Sequence, residues 1–240
     1  MYIERSYRDF KEHQGLIPFQ VKIKETDLYL RAGLNLEKEA FKLAWFYRKQ
    51  IENYINLNPY FQKSLVPIPF DPDAPLIIRK MLVASSQVGV GPMAAVAGAI
   101  AEFVGKSLLN YSPEIIVENG GDIFASTSKP LLVKIFAGNS PLSQKIGIEF
   151  SSDEIPVGVC TSSGTVGPSL SFGNADAVTV VSSSAILSDA SATAIANLVK
   201  DKDDIKPALD FGASIPGIEG IIIIIRDNMG VWGDIKLVNL

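Results

Sequence analysis

The chain has 240 residues, 47% of them hydrophobic, so it is long enough to bury a substantial core. Its formal net charge is −4 and the two charge signs are mixed, which argues against nucleic acid or an anionic membrane surface as partners. The single Cys160 excludes an internal disulfide, and the N-terminal residues have no apolar segment of the kind that directs secretion, so we expect a cytoplasmic protein. The longest aliphatic run, residues 221–225, is far shorter than the roughly 20 residues of a membrane-spanning helix.

The first elements predicted are a hairpin and a long helix. Residues 19–24 alternate apolar and charged side chains as a half-buried strand does, and residues 28–30 continue the pattern. Asn35 is placed to cap an amphipathic helix over residues 36–56, which Pro59 ends.

The rest of the chain mixes strands with separate helices. Four prolines between residues 67 and 75 predict a surface connector. An alanine-rich helix, apolar nearly all round, follows Gly91-Pro92 and should be buried on several sides. Further strands are predicted at residues 114–117, 131–137, 145–150, 157–160, 177–181 and 218–226, and helices at about 188–199 and 203–211. This arrangement predicts an α+β fold.

Three motifs combine small residues with short polar side chains, and no arginine lies between Arg79 and Arg226. A site in this region must therefore hold anions through backbone N–H groups, hydroxyls or a metal ion. The motifs are Asn119-Gly120-Gly121-Asp122, Thr161-Ser162-Ser163-Gly164 and Ser188-Asp189-Ala190-Ser191-Ala192-Thr193-Ala194.

The last motif places two hard oxygen ligands on one helix face. Asp189 and Thr193 are four residues apart, which separates them by about 6 Å near the start of a helix. A carboxylate and a hydroxyl suit Mg²⁺, which typically keeps waters and bridges to phosphates. The alternative is structural: Ser188 or Asp189 caps the helix, and the alanines allow close packing.

The first motif has two interpretations. The glycines Gly120 and Gly121 follow an apolar strand and can adopt positive φ, so their N–H groups could form a nest for an anion or a ring edge. They could equally form a plain hairpin turn between residues 115–117 and 123–124.

The second motif offers hydroxyls that could cup a phosphate, or it is a polar loop. Serine nucleophile chemistry is not expected, because the only histidine, His13, lies in a charged N-terminal segment. The same objection applies to Cys160, which is better explained as a buried structural thiol.

A rival signal is the pattern G-x-G-x-x-A at Gly89-Val90-Gly91-Pro92-Met93-Ala94, with Glu118 at a suitable distance beyond it. This pattern is typical of Rossmann domains that bind NAD. However, residues 85–88 separate the preceding apolar run from the first glycine, and alternating strand and helix units are lacking.

In this order, the three motifs resemble those of the ApbE-like flavin transferase superfamily. That family typically carries an N-x-G-G-D segment after a strand, then T-S-G, then a D-A-x-x-T-A helix start. Gly91-Pro92-Met93-Ala94 stands where the family has K-G-Y-A, so the likeness covers roughly residues 81–200. The chain is thus similar to a divergent cytoplasmic branch of the superfamily, with residues 1–240 forming one ApbE-like domain of antiparallel or mixed sheets and packed helices.

The resemblance implies binding of FAD and Mg²⁺ and transfer of the FMN moiety to a threonine or serine of an acceptor protein. The metal would be held by Asp189 and Thr193, and a metal on the pyrophosphate would make an arginine unnecessary. The flavin would be lined by Asn119, Gly120, Gly121 and Asp122, with Thr161, Ser162, Ser163 and Gly164 beside the phosphates. No catalytic residue is implied, and a homodimer is left open.

Two departures keep other functions in view. Gly91 replaces the lysine of K-G-Y-A, and the histidine and D-P-x-T-G stretch expected after T-S-G are absent from residues 165–174. The alternatives are therefore a flavin or nucleotide-binding protein without catalysis, and an NAD-binding oxidoreductase domain.

Overall fold

The computed structural model describes residues 15–152, 155–165 and 172–240, and His13 lies outside them. Within these ranges, eleven strands form two sheets, and six α-helices cover one side of the larger sheet. Every ladder between paired strands is antiparallel. The predicted α+β class with packed helices is confirmed.

The larger sheet has eight strands in the order β1-β2-β3-β4-β7-β8-β9-β10, and the smaller has three in the order β11-β6-β5. The strands are β1 Ile17–Ile23, β2 Thr26–Ala32, β3 Ile115–Asn119, β4 Asp122–Ser126, β5 Leu131–Lys134, β6 Ile146–Phe150, β7 Val157–Ser162, β8 Ala177–Ser182, β9 Ile218–Ile225, β10 Asn228–Gly233 and β11 Leu237–Asn239.

The helices are α1 Glu37–Leu57, α2 Tyr60–Lys63, α3 Leu76–Val88, α4 Val96–Leu108, α5 Ala185–Ala196 and α6 Ile205–Ala213. Short 3₁₀ turns, Pro92–Ala95 and Lys202–Asp204, precede α4 and α6. No single helix of the described residues is long and apolar enough to cross a membrane. The helix α3 and the segment Pro92–Leu108 would reach that length together, but a bend of 108° separates them.

The larger sheet forms the middle of three layers. Successive side chains of a strand point to opposite faces, so Val117, Phe124 and Val180 pack with the helices. Their neighbours Ile116 and Ile123 pack instead against the smaller sheet. The central strands are thus buried on both faces, which explains why they read as continuous apolar runs.

Most predicted elements are confirmed within a few residues, but the first half differs in two places. The helix α1 begins at Glu37 and has no side-chain cap at Leu36, although Asn35 Oδ1 still accepts the Glu37 N–H at 2.9 Å. The apolar run at residues 81–83 belongs to α3, a helix that the sequence pattern did not predict. The proline-rich connector precedes it as predicted.

Candidate functional site

The glycines of the first motif form the turn between β3 and β4. Gly120 and Gly121 have φ values of +72° and +105°, and a two-residue hairpin turn of type I′ requires positive φ at both positions. The Gly121 N–H donates to Oε1 of Glu118 at 2.8 Å. The hairpin interpretation is confirmed, and one N–H that an anion nest would use already has a carboxylate acceptor.

The first and third motifs meet at the start of α4. Oδ2 of Asp189 accepts the Gly98 N–H at 2.8 Å, and the Ala97 N–H also donates to this carboxylate. Nδ2 of Asn119 donates to the carbonyl of Ala97 at 3.1 Å. Because the first N–H groups of a helix have no acceptor within it, Asp189 satisfies donors that would otherwise be unpaired.

Glycine is needed where α4 crosses α5. A Cβ at Gly98 would lie 2.2 Å from the carbonyl oxygen of Ala185 and 2.8 Å from Cβ of Asp189. A contact this short is not tolerated in a packed interior. The missing side chain lets the Asp189 carboxylate reach the helix start.

Asp122 adds a second carboxyl to this region. It stands opposite Cys160 in the ladder between β4 and β7, and is only 8% exposed. Burial raises the pKa of Asp122 well above its usual range, and the charges of Asp189 and Glu118 raise it further. Hydrogen bonds from the Cys160 thiol and the Thr161 N–H lower the pKa but do not outweigh burial.

The second motif is divided between the two faces of β7. Strand alternation turns Ser162 toward the helices with Cys160, whereas Thr161 points to the opposite face, where its hydroxyl lies 2.9 Å from that of Thr179. The loop beyond is tied down, because the Gly164 N–H donates to the carbonyl of Ala175 at 2.9 Å. Thr161 therefore contributes its N–H, not its hydroxyl, on the side where the motifs meet.

The helix α5 begins earlier than the sequence predicted. Its N-cap is Ser184, whose side chain accepts the Leu187 N–H. The alternative in which Ser188 or Asp189 caps the helix is therefore wrong. Ser188 instead binds the hydroxyl of Ser182 and the carbonyl of Gly158, which fastens the helix to the sheet.

Asp189 and Thr193 lie one turn apart on α5, and both are half-buried. Burial raises the pKa of Asp189 to about 7, although the N–H groups of Gly98 and Ala97 act to lower it. In the described part of the chain, no three His, Cys, Asp or Glu side chains are grouped so that they could hold a metal ion. A divalent ion here would need oxygens from hydroxyls, backbone, water or ligand beside Asp189.

Cys160 is a structural thiol, as expected. It is fully buried, and its Sγ lies 3.2 Å from the carbonyl oxygen of Ala185. Burial raises the pKa of Cys160 well above its usual value, and the carboxyls of Asp122 and Asp189 raise it further. The thiol therefore stays protonated and is a poor nucleophile.

The Rossmann interpretation is wrong. Gly89 ends the helix α3 in a left-handed conformation, with φ +78°, where the dinucleotide pattern requires a preceding strand. Glu118 is 2% exposed and lies on β3, whose neighbours β2 and β4 run antiparallel to it. Parallel strands with crossover helices, which define the Rossmann fold, are not the arrangement observed.

Comparison with known sequences identifies the family. The sequence model of the family described as "AbpE bacteria" matches residues 8–231. The chain belongs to this family. Among its relatives is the UPF0280 protein MJ1526 of Methanocaldococcus jannaschii, which is 41% identical over 222 residues and covers 90% of each chain. A UPF0280 protein of Methanothrix thermoacetophila is 43% identical over 191 residues, covering 78% of this chain and 79% of that protein.

Solved structures show the same fold for this member of the AbpE bacteria family. The flavin transferase ApbE from Vibrio cholerae superposes with a TM-score of 0.57 at 10% identity, covering 90% of this chain and 96% of that one. The apo form of the flavinyl transferase ApbE from Pseudomonas stutzeri gives 0.55 at 14% identity, with 90% and 93% coverage. The predicted ApbE-like fold is confirmed.

Aligned on its glycines and aspartate, the N-x-G-G-D pattern has Glu118 at the asparagine position and Asn119 at the variable one. The structure separates their roles. Asn119 faces the helices and holds α4, whereas Glu118 lies on the other face of β3 and accepts the Gly121 N–H. This member thus carries an acid where the superfamily pattern has an amide.

One buried residue near the motifs was not singled out from the sequence. Glu102 on α4 is 5% exposed and accepts hydrogen bonds from Oγ of Ser184 at 2.9 Å and the N–H of Ile186 at 3.2 Å. Lys106 pairs with it at 2.6 Å. Glu102 caps the start of α5 as Asp189 caps the start of α4, so each helix supplies a hydrogen-bond acceptor to the first turn of the other. An isolated Glu in an apolar helix was the only signal in the sequence.

A cavity of about 330 Å³ lies apart from the motifs, between β6 of the smaller sheet and strands β7 to β9. Its charged lining is Glu149, Glu219, Asp234 and Lys236. Within the described residues, none of the three motifs contributes to this lining. This cavity and the motif residues are thus separate features.

Proposed function

We propose that this protein binds FAD together with Mg²⁺ where the three motifs meet, and that it transfers the FMN moiety to a threonine or serine hydroxyl of an acceptor protein. The observation that carries the proposal is the convergence of Asn119 and Asp189 on the first turn of α4, beside the buried carboxyl of Asp122. The ApbE-like fold, which the chain shares with flavin transferases of known structure, supports the choice of ligand. The same proposal puts the protein in the cytoplasm, with residues 1–240 as one domain.

The residues present fit a magnesium ion. Burial disfavours the charged forms of Asp122 and Asp189, and the charge of Asp189 acts against that of Asp122. A cation beside them relieves this cost. Asp189 and Thr193 would hold the ion, which would supply positive charge at a pyrophosphate in a region without arginine.

The chain's own residues would position the ligand. The hairpin turn of Gly120 and Gly121 lacks side chains, so a flat ring can approach its backbone. Asn119 and Asp122 flank that turn, while Ser162, Ser163 and Gly164 would lie near the phosphates. In the transfer, the acceptor hydroxyl oxygen would bond to the FMN phosphorus as the pyrophosphate bond breaks. AMP leaves, and the hydroxyl proton passes to the leaving phosphate or to water.

The test compares FAD binding with and without Mg²⁺ by titration calorimetry for the wild type and Asp189→Asn. We expect saturable binding by the wild type that depends on magnesium. The amide keeps an acceptor for the Gly98 N–H but removes the charge. The factor by which magnesium tightens FAD binding should therefore fall at least about tenfold. Asp210→Asn makes the same change at an exposed carboxyl on α6 and should bind as the wild type does. Absence of FAD binding, with or without magnesium, would refute the proposal.

A second function, flavin binding without transfer, is favoured by one contact. Gly91 stands at the lysine position of K-G-Y-A, and a Cβ there would lie 1.9 Å from the carbonyl oxygen of Ser64. The backbone therefore leaves no room for the lysine of the superfamily pattern. Mass spectrometry of a threonine-containing acceptor, after incubation with protein, FAD and Mg²⁺, separates the two functions, because only transfer adds covalent FMN.

A further inference from the structure

The helix α1 carries an apolar stripe on its outer side. Glu37, Phe41, Trp45 and Lys49 follow one another at intervals of one turn. Phe41 is 48% exposed and Trp45 is 49% exposed, while a different face of the helix buries Ala40, Ala44 and Ile51 against the core. The ammonium group of Lys49 lies 6.0 Å from the ring centre of Trp45.

This stripe lies in the stretch of the chain that carries the most exposed apolar side chains. Of the eighteen large hydrophobic side chains that are exposed among the described residues, eleven lie between Leu34 and Val83. The outer face of a helix on a globular protein is normally polar, and exposed aromatic residues are enriched at protein interfaces. The stripe therefore indicates an interface.

The order of charged and aromatic residues along the stripe indicates which partner it fits. It reads acid, aromatic, aromatic, base over about 18 Å, the rise of twelve helical residues. A two-fold axis reverses this order, so Glu37 meets Lys49 of a second copy while Phe41 meets its Trp45. Two-fold interfaces bring the same patch of both subunits together, and this patch is self-complementary. We propose that α1 packs antiparallel against α1 of a second copy of this chain, forming a homodimer.

The first test measures oligomeric state by sedimentation equilibrium of the full chain over a concentration series. We expect a monomer–dimer equilibrium, which Trp45→Ser weakens at least about tenfold because a central aromatic side chain carries much of an interface's energy. Leu57→Ser removes an apolar residue from the last turn of α1 that is more exposed than Trp45, at 82% against 49%, and should change the dimer constant little. A wild type that stays monomeric throughout, or a dimer unaffected by Trp45→Ser, would overturn the proposal.

The second test uses charge reversal to identify the symmetry. Glu37→Lys and Lys49→Glu should each weaken the homodimer, because like charges then meet across the axis. Lys49 also pairs with Glu52 of its own helix at 2.7 Å, so its single variant could act within one chain. Mixing the two variants distinguishes an effect across the interface from an effect within one chain. Only in the mixed dimer do both contacts between residues 37 and 49 become opposite-charge pairs.

We expect the mixture to dimerise at least about tenfold more tightly than either variant alone. Circular dichroism checks that each variant is folded. Glu219→Lys, an exposed reversal on β9, should leave the homodimer unchanged. Mixing that gives no gain over the single variants would rule out the antiparallel arrangement, whatever the state of the wild type.

Discussion

Asp189 combines two properties that normally exclude each other. A carboxylate at the start of a helix is stabilised in its charged form by the N–H groups that donate hydrogen bonds to it. Here two such groups donate to it, yet burial still brings its pKa to about 7. At neutral pH the site therefore holds both charged and neutral forms of this side chain, a balance that a bound cation would shift toward the charged form.

The raised pKa predicts how stability changes with pH. The folded-state pKa of Asp189 is about 7 against an ordinary value of 3.8, so between these values the folded protein binds more protons than the unfolded chain. The stability that this group contributes is full below about pH 4 and is lost as the pH rises through 7. Asp122, whose pKa is also raised, acts in the same direction.

We therefore expect the free energy of unfolding in metal-free buffer to decrease from pH 5 to pH 7. Asp189→Asn removes the titration and should reduce this slope, by at most about 1.4 kcal/mol per pH unit. Urea unfolding at several pH values measures both slopes. Exposed Asp210→Asn is the matched control, and equal slopes for wild type and Asp189→Asn would contradict the assigned pKa.

At the scale of elements, the candidate site depends on a close crossing of α4 and α5. Gly98 makes it possible, because a Cβ there would lie 2.2 Å from the backbone oxygen of Ala185. A backbone atom cannot rotate away as a side chain can. The two helices would have to separate, and the bond between Gly98 and Asp189 would stretch with them.

Gly98→Ala should therefore lower the free energy of unfolding by about 2 kcal/mol or more, despite the better helix propensity of alanine. Gly89→Ala provides a comparison, since that glycine has no atom within 4 Å of the added Cβ but has a φ of +78°. It should cost about 1 kcal/mol, from backbone strain alone. Chemical denaturation measures both values, and a Gly98→Ala variant as stable as the wild type would show that the crossing is loose.

The sequence predicted the elements of the site better than their contacts. Three motifs pointed to one region: the first and third meet at the start of α4, and the Thr161 N–H of the second donates to Asp122 of the first. The start of α5 was placed three residues late, because Ser184 was not recognised as its cap and because the acceptor of the Ser184 hydroxyl, Glu102, lies on a helix about eighty residues earlier. The orientation of Thr161 follows from the register of β7, which no local pattern specifies.

On the scale of the whole molecule, the larger sheet belongs to two cores at once. One face packs against the helices, with Leu108 among its fully buried residues, and the other packs against the smaller sheet, with Leu131 2% exposed. Both cores share the same central strands. The antiparallel pairing of the sheet could be predicted from the sequence, but the three layers could not. A continuous apolar strand shows that both faces are buried, without showing which element covers each face.

This shared sheet predicts that the chain unfolds as one cooperative unit. Leu108→Ala and Leu131→Ala lie in different cores, yet each should shift the same single transition and lower the free energy of unfolding by about 2–4 kcal/mol. Leu57→Ala, at a position 82% exposed, is the control and should change it by less than about 0.5 kcal/mol. Fluorescence of Trp45 and Trp232 and far-ultraviolet circular dichroism follow the transition independently. If the smaller sheet were a separate unit, Leu131→Ala would produce a second, earlier transition in circular dichroism while the fluorescence of Trp45 on α1 stayed native.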